Sequence, residues 1–409
     1  MRIAFITSEY PTEKTPHGGL AAYLKKTSYF LASKGHEAYI ILLSNRNYYW
    51  KDNEVHIYEI DATIKFSNWI NDVPLLRILC QFLVGILVDR RLFLGFSVID
   101  KSTPFDIVQI PILPYGEVLG LYILRKFNRA PVVCRLSCFP PAYFAHLKQR
   151  KIIDCLNHMF TIYKLNKSAA VFSPCKSTSE LTYRKTKVEI ETIYTVVEPG
   201  NIVLDYTVYD KSGVELEYIL YFNQFDPIKG IDVIADAVGS ILDRYNHISF
   251  VFIGQDNGVG LDQIGHTTWQ SYIKSKCDIS VLERLYFFSP LNRSQLFPFI
   301  MNAKAVLIPS KLDNYPNACL EALFLETPVI GTYESSLEEM IIDGRTGFLA
   351  ENSDPESLKK AIHKLLSLSP EELKLMKNYI RQNMKKVVAE DRIGRLLEFY
   401  QSVVDKHNH

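Results

Sequence analysis

Three places in this sequence of 409 residues combine residue types at spacings that suit an anion beside a polyol. The densest is Pro309-Ser-Lys-Leu-Asp-Asn-Tyr-Pro-Asn-Ala-Cys-Leu-Glu-Ala322. Pro316 marks a helix start, which leaves the backbone N–H groups of Asn317, Ala318 and Cys319 as first-turn donors suited to a phosphate oxygen. Asp313 and Glu321 bracket that start, eight positions apart. A carboxylate accepts from two neighbouring hydroxyls at once, which is what a sugar presents. Leu320, Ala322, Leu323 and Phe324 surround Glu321, so this helix is expected to be largely buried and its acid to need a partner.

The second place is Asn223-Gln-Phe-Asp-Pro-Ile-Lys-Gly230. A lysine at the entrance to a helix, beside a glycine, reaches a diphosphate as a mobile point charge. The third is Pro16-His-Gly-Gly-Leu20. Gly18 and Gly19 let backbone approach a ligand closely, ahead of a helix N-terminus. That loop lacks the G-x-G-x-x-G spacing of a dinucleotide site. No Asp-x-Asp occurs anywhere in the chain, and Cys134 and Cys138 lack the companions of a zinc site.

Such residues act only if strands deliver them to one edge of a sheet. Arg2–Thr7, Glu37–Leu43, Asp106–Pro111, Pro131–Arg135 and Ala169–Ser173 read as buried parallel strands separated by helix-length segments. The alternation restarts at Tyr218–Phe222 and continues through Ile248–Ile253, which ends at Gly254, then Tyr286–Phe288, Ala305–Pro309 and Pro328–Gly331. The expected fold is α/β, two doubly wound Rossmann-like domains: residues 1–198, to which a terminal helix over 389–409 returns, and residues 199–388. Ligands of such sheets bind beyond the carboxyl ends of the strands.

Composition excludes other classes. Hydrophobic residues make up 47% and charged residues 22%, an ordinary globular balance that argues against disorder. The net charge of +1 argues against a uniformly basic nucleic-acid coat. It hides an asymmetry: residues 1–200 hold 25 Lys+Arg against 17 Asp+Glu, and the remainder 21 against 28. A basic half suits an anionic membrane surface or phosphate-bearing substrates. The segment Pro74–Phe96 is strongly apolar but is cut by Asp89-Arg90-Arg91. It reads either as a buried helix or as an interfacial one with its apolar face in lipid. With no apolar leader at Met1–Ser8 and no CxxC pair among seven cysteines, a cytoplasmic protein with reduced thiols is expected, peripheral on the inner face of the cytoplasmic membrane if the interfacial reading holds.

Taken in order, these residues resemble the GT-B glycosyltransferases, specifically retaining family 4 (glycosyltransferase group 1). The resemblance covers nearly the whole chain. Met1–Pro11, His17-Gly-Gly and Gly35-His-Glu37 are similar to that family's acceptor-domain start. Lys229-Gly230, Phe252-Ile-Gly254, Pro309-Ser310, the helix with Glu321-Ala322, Pro328-Val329 and Asp343-Gly-Arg-Thr-Gly-Phe348 are similar to its donor domain.

The resemblance implies that Glu321 binds ribose hydroxyls, Asp313 the transferred sugar and Lys229 the diphosphate, with Gly18, Gly19, Gly254 and the N–H groups of Asn317, Ala318 and Cys319 around them. It also implies a nucleotide-diphosphate sugar as donor, a glycan or lipid-linked acceptor in surface polysaccharide or glycolipid assembly, and no metal or other cofactor. Three departures stand out. Asp313 replaces a glutamate, Gln224 replaces the diphosphate arginine five residues before the lysine, and Arg135-Leu-Ser137 stands where the family often has a histidine near the reacting sugar. Arg135 or Ser137 is therefore expected near the site. The departures keep a second reading open, a weakly active or silent GT-B protein serving as a binding partner or scaffold.

Overall fold

The structure is a computed structural model, and it describes residues 1–11, 19–64, 74–113, 119–138, 151–195, 203–258 and 265–409. The Pro16–Gly18 part of the first glycine loop and the expected Val197–Gly200 junction lie outside the described residues. The chain divides into two compact units, Met1–Val196 with Asp391–His409, and Val197–Glu390.

The first unit is built on β1 (Arg2–Thr7), β2 (Glu37–Ser44), β3 (Tyr48–Asp52), β4 (Val55–Asp61), β5 (Ile107–Ile112), β6 (Val132–Leu136), β7 (Ala170–Ser173) and β8 (Glu191–Thr192), in the order β3-β4-β2-β1-β5-β6-β7-β8. All neighbours pair in parallel except β3, which runs antiparallel to β4 at the edge. Ile3, Ala4, Phe5 and Ile6 of β1 are fully covered, as a strand between two helical layers requires. The hairpin β3–β4 was not among the expected strands. Its turn is marked by Asn53, which takes φ +51°, a conformation asparagine tolerates better than most residues.

The terminal helix Arg392–Asn408 belongs to this first unit. Ile393, Leu396, Phe399, Tyr400 and Val403 join Ile3, Phe5 and Leu24 in one apolar cluster. Helix α1 (Gly19–Ser33) lies against the same cluster through Leu20, Tyr23 and Leu31. Helix α2 (Pro74–Ser102) extends past the expected Phe96.

The second unit holds β9 (Glu217–Phe222), β10 (Ile248–Ile253), β11 (Leu285–Phe288), β12 (Ala305–Leu307), β13 (Val329–Thr332) and β14 (Gly347–Ala350). They form a fully parallel sheet in the order β11-β10-β9-β12-β13-β14. Counting from β9, this is the doubly wound 3-2-1-4-5-6 order, whose direction reverses between β9 and β12. The chain leaves those two strands in opposite senses, and ligands of such sheets bind beyond the carboxyl ends at that point. The same reversal occurs in the first unit between β1 and β5.

Candidate functional site

The loops that leave β9 and β12 are the ones that carry Lys229 and Asp313, and the fold joins them. Lys229 Nζ donates to Asp313 Oδ2 at 2.8 Å, with side chains 28% and 11% exposed. Asp226 accepts from the N–H of Ile228 at 2.7 Å and caps a single 3-10 turn, Pro227–Lys229. Gly230 ends that turn at φ +77°. A Cβ there would stand 2.0 Å from the carbonyl oxygen of Pro309, so only glycine lets the loop after β9 close onto the loop after β12. The N–H of Lys311 completes the seam by donating to the carbonyl of Ile228 at 2.8 Å.

A second ion pair runs beside the first: Lys311 Nζ to Asp232 Oδ2 at 2.5 Å. Neither Lys311 nor Asp232 was singled out in the sequence. Both sit beside motif residues, but their pairing depends on the order of β9 and β12. Tyr221 at the end of β9 is buried, and burial together with Asp226, Asp232 and Asp313 pushes its hydroxyl pKa far up. It stays a neutral donor, and its O–H goes to the carbonyl of Gln224 at 2.7 Å. The side chain of Gln224 is exposed.

Gly254 follows β10, where a Cβ would stand 1.8 Å from the carbonyl oxygen of Asn223. Its N–H donates to the carbonyl of Phe288 at 3.1 Å. Gly254 thus serves close packing beneath the loop after β9.

The helix Asn317–Phe324 starts after Pro316, and Tyr315 precedes it in the left-handed region at φ +57°. Ser336 Oγ accepts from the N–H of Tyr315 at 2.7 Å. One expectation is corrected here. The N–H of Cys319 donates to the carbonyl of Pro316 at 3.1 Å, because the first turn tightens. The N–H groups of Asn317 and Ala318 have no backbone partner among the described residues, leaving two donors where three were expected. The thiol of Cys319 is fully buried, and burial followed by the nearby Asp313 carboxylate raises its pKa strongly. It is inert packing.

Glu321 finds the partner its surroundings demanded. Arg293 Nε lies 3.1 Å from its Oε1, with Glu321 17% exposed. Arg293 opens the helix Arg293–Asn302, capped by Asn292, and nothing in its local sequence marks it as a site residue.

In the first unit, Arg135 and Ser137 are brought together at the carboxyl end of β6, and Arg135 Nη1 donates to Ser137 Oγ at 2.6 Å. The guanidinium lies 3.8 Å above the Tyr23 ring, a close cation–π contact. Arg135 is 5% exposed, and its buried Nε has no hydrogen-bond partner among the described residues. Burial lowers its pKa, opposed by the hydroxyls of Tyr23 and Tyr400 and the thiol of Cys175. Gln109 Oε1 on β5 accepts from Tyr23 at 3.3 Å and from Tyr400 at 2.5 Å. Gly19 opens α1 and is exposed. Gly18 lies outside the described residues.

Among the described residues, no group of three or more His, Cys, Asp or Glu is arranged to hold a metal ion. The chemistry the second unit offers is a partly exposed lysine paired with Asp313, two N–H groups without a backbone partner among the described residues, and two carboxylates, which suits a phosphate beside hydroxyls.

Residues 211–385 match the family model of the glycosyl transferases group 1. A D-inositol 3-phosphate glycosyltransferase of Corynebacterium urealyticum is 24% identical over 191 residues, 45% of this chain and 42% of that protein. An uncharacterized glycosyltransferase of Methanocaldococcus jannaschii is 26% identical over 155 residues, 36% of this chain and 38% of that protein. The match to curated relatives therefore spans about two-fifths of their length. In three dimensions the chain is similar to a sucrose-phosphate synthase from Thermosynechococcus elongatus, with a TM-score of 0.78 at 15% identity over 99% of both chains. It is also similar to WaaG, a glycosyltransferase involved in lipopolysaccharide biosynthesis, with a TM-score of 0.65 at 14% identity over 98% of this chain and 99% of that one. The chain has the GT-B fold, and within it residues 211–385, which hold the Lys229–Asp313 seam, are similar to the glycosyl transferases group 1.

Proposed function

We propose that the protein is a retaining glycosyltransferase of family 4. It moves a sugar from a nucleotide-diphosphate sugar to a hydroxyl of a glycan or lipid-linked acceptor, in surface polysaccharide or glycolipid assembly at the inner face of the cytoplasmic membrane. The observation that carries this reading is the placement of Lys229 and Asp313 at the point where the strand order of the second sheet reverses, held 2.8 Å apart by loops from β9 and β12.

Charge develops on the departing diphosphate, so stabilising it is the chief electrostatic task. Lys229 supplies the cation, and the N–H groups of Asn317 and Ala318 supply fixed donors. Asp313 orients Lys229 before the donor arrives and then takes a hydroxyl of the transferred sugar. Glu321, steadied by Arg293, accepts from the ribose hydroxyls. Arg135 and Ser137 serve the acceptor side. Gln224 takes the place of a bidentate cation, so Lys229 carries a larger share of the phosphate charge than it would beside an arginine. No metal or other cofactor is assigned a step.

The test is a panel of nucleotide sugars, followed by release of nucleoside diphosphate and by transfer to lipid-linked acceptors. Lys229→Ala should cut turnover about 10²-fold or more, comparable to removing one preorganised donor from a charge-stabilising site. Donor binding without turnover across the panel, unchanged in Lys229→Ala, would favour a silent binding protein instead.

A further inference from the structure

Over its described side chains helix α2 has two apolar faces, and among the described residues only one of them is packed into the core. Leu92 and Phe96 are fully buried, as are the carboxylates of Asp89 and Asp100. Asp89 accepts from the N–H groups of Gly120 at 2.5 Å and Tyr122 at 2.8 Å, at the start of the helix Leu121–Lys126 (α3). On the opposite face Leu83, Leu87, Leu94 and Val98 are 59%, 42%, 54% and 68% exposed. At 3.6 residues per turn these four side chains fall within an arc of about 60° and form a stripe about 22 Å long. Arg90 and Arg91 are exposed and lie about 20° outside the stripe, one on either side. No acid of residues 83–102 lies on that face, because Asp89 and Asp100 point inward.

Beside the Arg90 flank lies a mostly apolar hollow of about 420 Å³ between α2, α3 and the helix Lys151–Lys167, lined by Ile86, Leu121, Tyr122 and Tyr163, with the buried Asp89 at its floor and exposed Arg125 and Met159 at its wall. No helix among the described residues is long and apolar enough to cross a membrane.

We propose that the exposed stripe of α2 lies in the interface of an anionic lipid bilayer, with Leu83, Leu87, Leu94 and Val98 below the headgroups and Arg90, Arg91 and Arg125 among them. This deepens the lipid-linked-acceptor reading above by naming the surface that meets the lipid. Two observations choose lipid over a second copy of the chain. Arg90 and Arg91 stand at the midpoint of the stripe, so a two-fold pairing that overlaps the stripes over their whole length sets the arginines of one copy on those of the other. An apolar stripe bordered by arginines, without acids, is complementary to acyl chains beneath anionic headgroups. The basic balance of the first 200 residues acts in the same direction.

The experiment is co-sedimentation of the whole chain with vesicles of phosphatidylcholine alone and of phosphatidylcholine with 30% phosphatidylglycerol, at low and high salt, with thermal melting and sedimentation velocity as controls. Wild type should partition onto the anionic vesicles and lose binding as salt rises. Leu87→Glu/Leu94→Glu should reduce partitioning at least tenfold. Arg90→Glu should reduce it about fivefold or more, as expected for the loss of a basic residue at an anionic surface. Donor hydrolysis by Leu87→Glu/Leu94→Glu without vesicles should be unchanged, and Lys229→Ala should bind vesicles as wild type does, so failure of the transferase reading and failure of this one are told apart. Equal partitioning of wild type and Leu87→Glu/Leu94→Glu overturns the proposal. So does equal binding to neutral and anionic vesicles, or a lipid-free dimer that those substitutions dissociate.

Discussion

The two sheets reverse their strand order at equivalent places, yet they furnish those places with opposite chemistry. In the second unit the reversal between β9 and β12 carries two ion pairs, Lys229–Asp313 and Lys311–Asp232, each with a partly exposed lysine. In the first unit the strand between β1 and β6 carries Gln109, and around it gather Tyr23, Tyr400 and the Arg135 guanidinium, all buried and without a carboxylate in that hydrogen-bonded group. A lysine that is already neutralised by a neighbour can exchange that neighbour for phosphate at little cost. A buried guanidinium whose Nε has no partner among the described residues is held in place by packing, cation–π contact and one hydrogen bond to Ser137 instead. One topology thus provides a site poised for exchange in one unit and a rigid, desolvated one in the other.

The comparison breaks most severely at Gly230. Gly230→Val places a side chain against the Pro309 carbonyl at φ +77°. It should separate the two loops and destabilise the second unit by about 3 kcal/mol, at the upper end for a residue forced into such a conformation. Thermal melting and loss of nucleotide binding measure it. Glu321→Ala comes next, expected to weaken donor binding by about 1.5–3 kcal/mol, the range for hydrogen bonds to a charged group. Calorimetric titration with nucleotide reads this directly, and unchanged affinity in a folded variant removes Glu321 from the site.

Arg135→Met sharpens the contrast in the other direction. A buried charge with no ion-pair partner among the described residues costs desolvation, so the variant should gain about 1–2 kcal/mol of stability while transfer to acceptor falls. A loss of stability with transfer intact would mean that Arg135 is there for the fold alone. Tyr400→Phe is the smallest change. Losing one buried hydrogen bond to Gln109 should cost about 1 kcal/mol, visible in denaturant unfolding with donor affinity unaltered.

Most of the parallel strands were legible because each is a continuous apolar run, although β8 and β14 were not among those expected. The hairpin β3–β4 was not, since its first strand, Tyr48-Tyr49-Trp50-Lys51-Asp52, is an exposed aromatic edge: Tyr48 and Tyr49 are 53% and 45% exposed. The alternation Val55-His-Ile-Tyr-Glu-Ile60 and the Asn53 turn were the available signal. In the site, Lys229, Asp313 and Glu321 stood out by their own loops and helix. Arg293, Lys311 and Asp232 did not, because each takes its meaning from a partner across the sheet: Lys311 and Asp232 are 79 residues apart in sequence. The two readings of Pro74–Phe96 excluded each other only as long as one face was considered. The inner face of α2 is core, and the outer face is the stripe assigned to lipid.

The central claim is that the Lys229–Asp313 seam receives the donor diphosphate, and titration of nucleoside diphosphates onto wild type, Lys229→Ala and Asp313→Asn tests it most directly. Lys229→Ala should weaken binding of the preferred nucleotide at least tenfold, about 1.4 kcal/mol. Asp313→Asn should bind it as tightly as wild type or more so, because the lysine is released while the ribose contact at Glu321 is untouched. Equal affinity in wild type and Lys229→Ala, or a loss in Asp313→Asn as large as that in Lys229→Ala, would contradict the account.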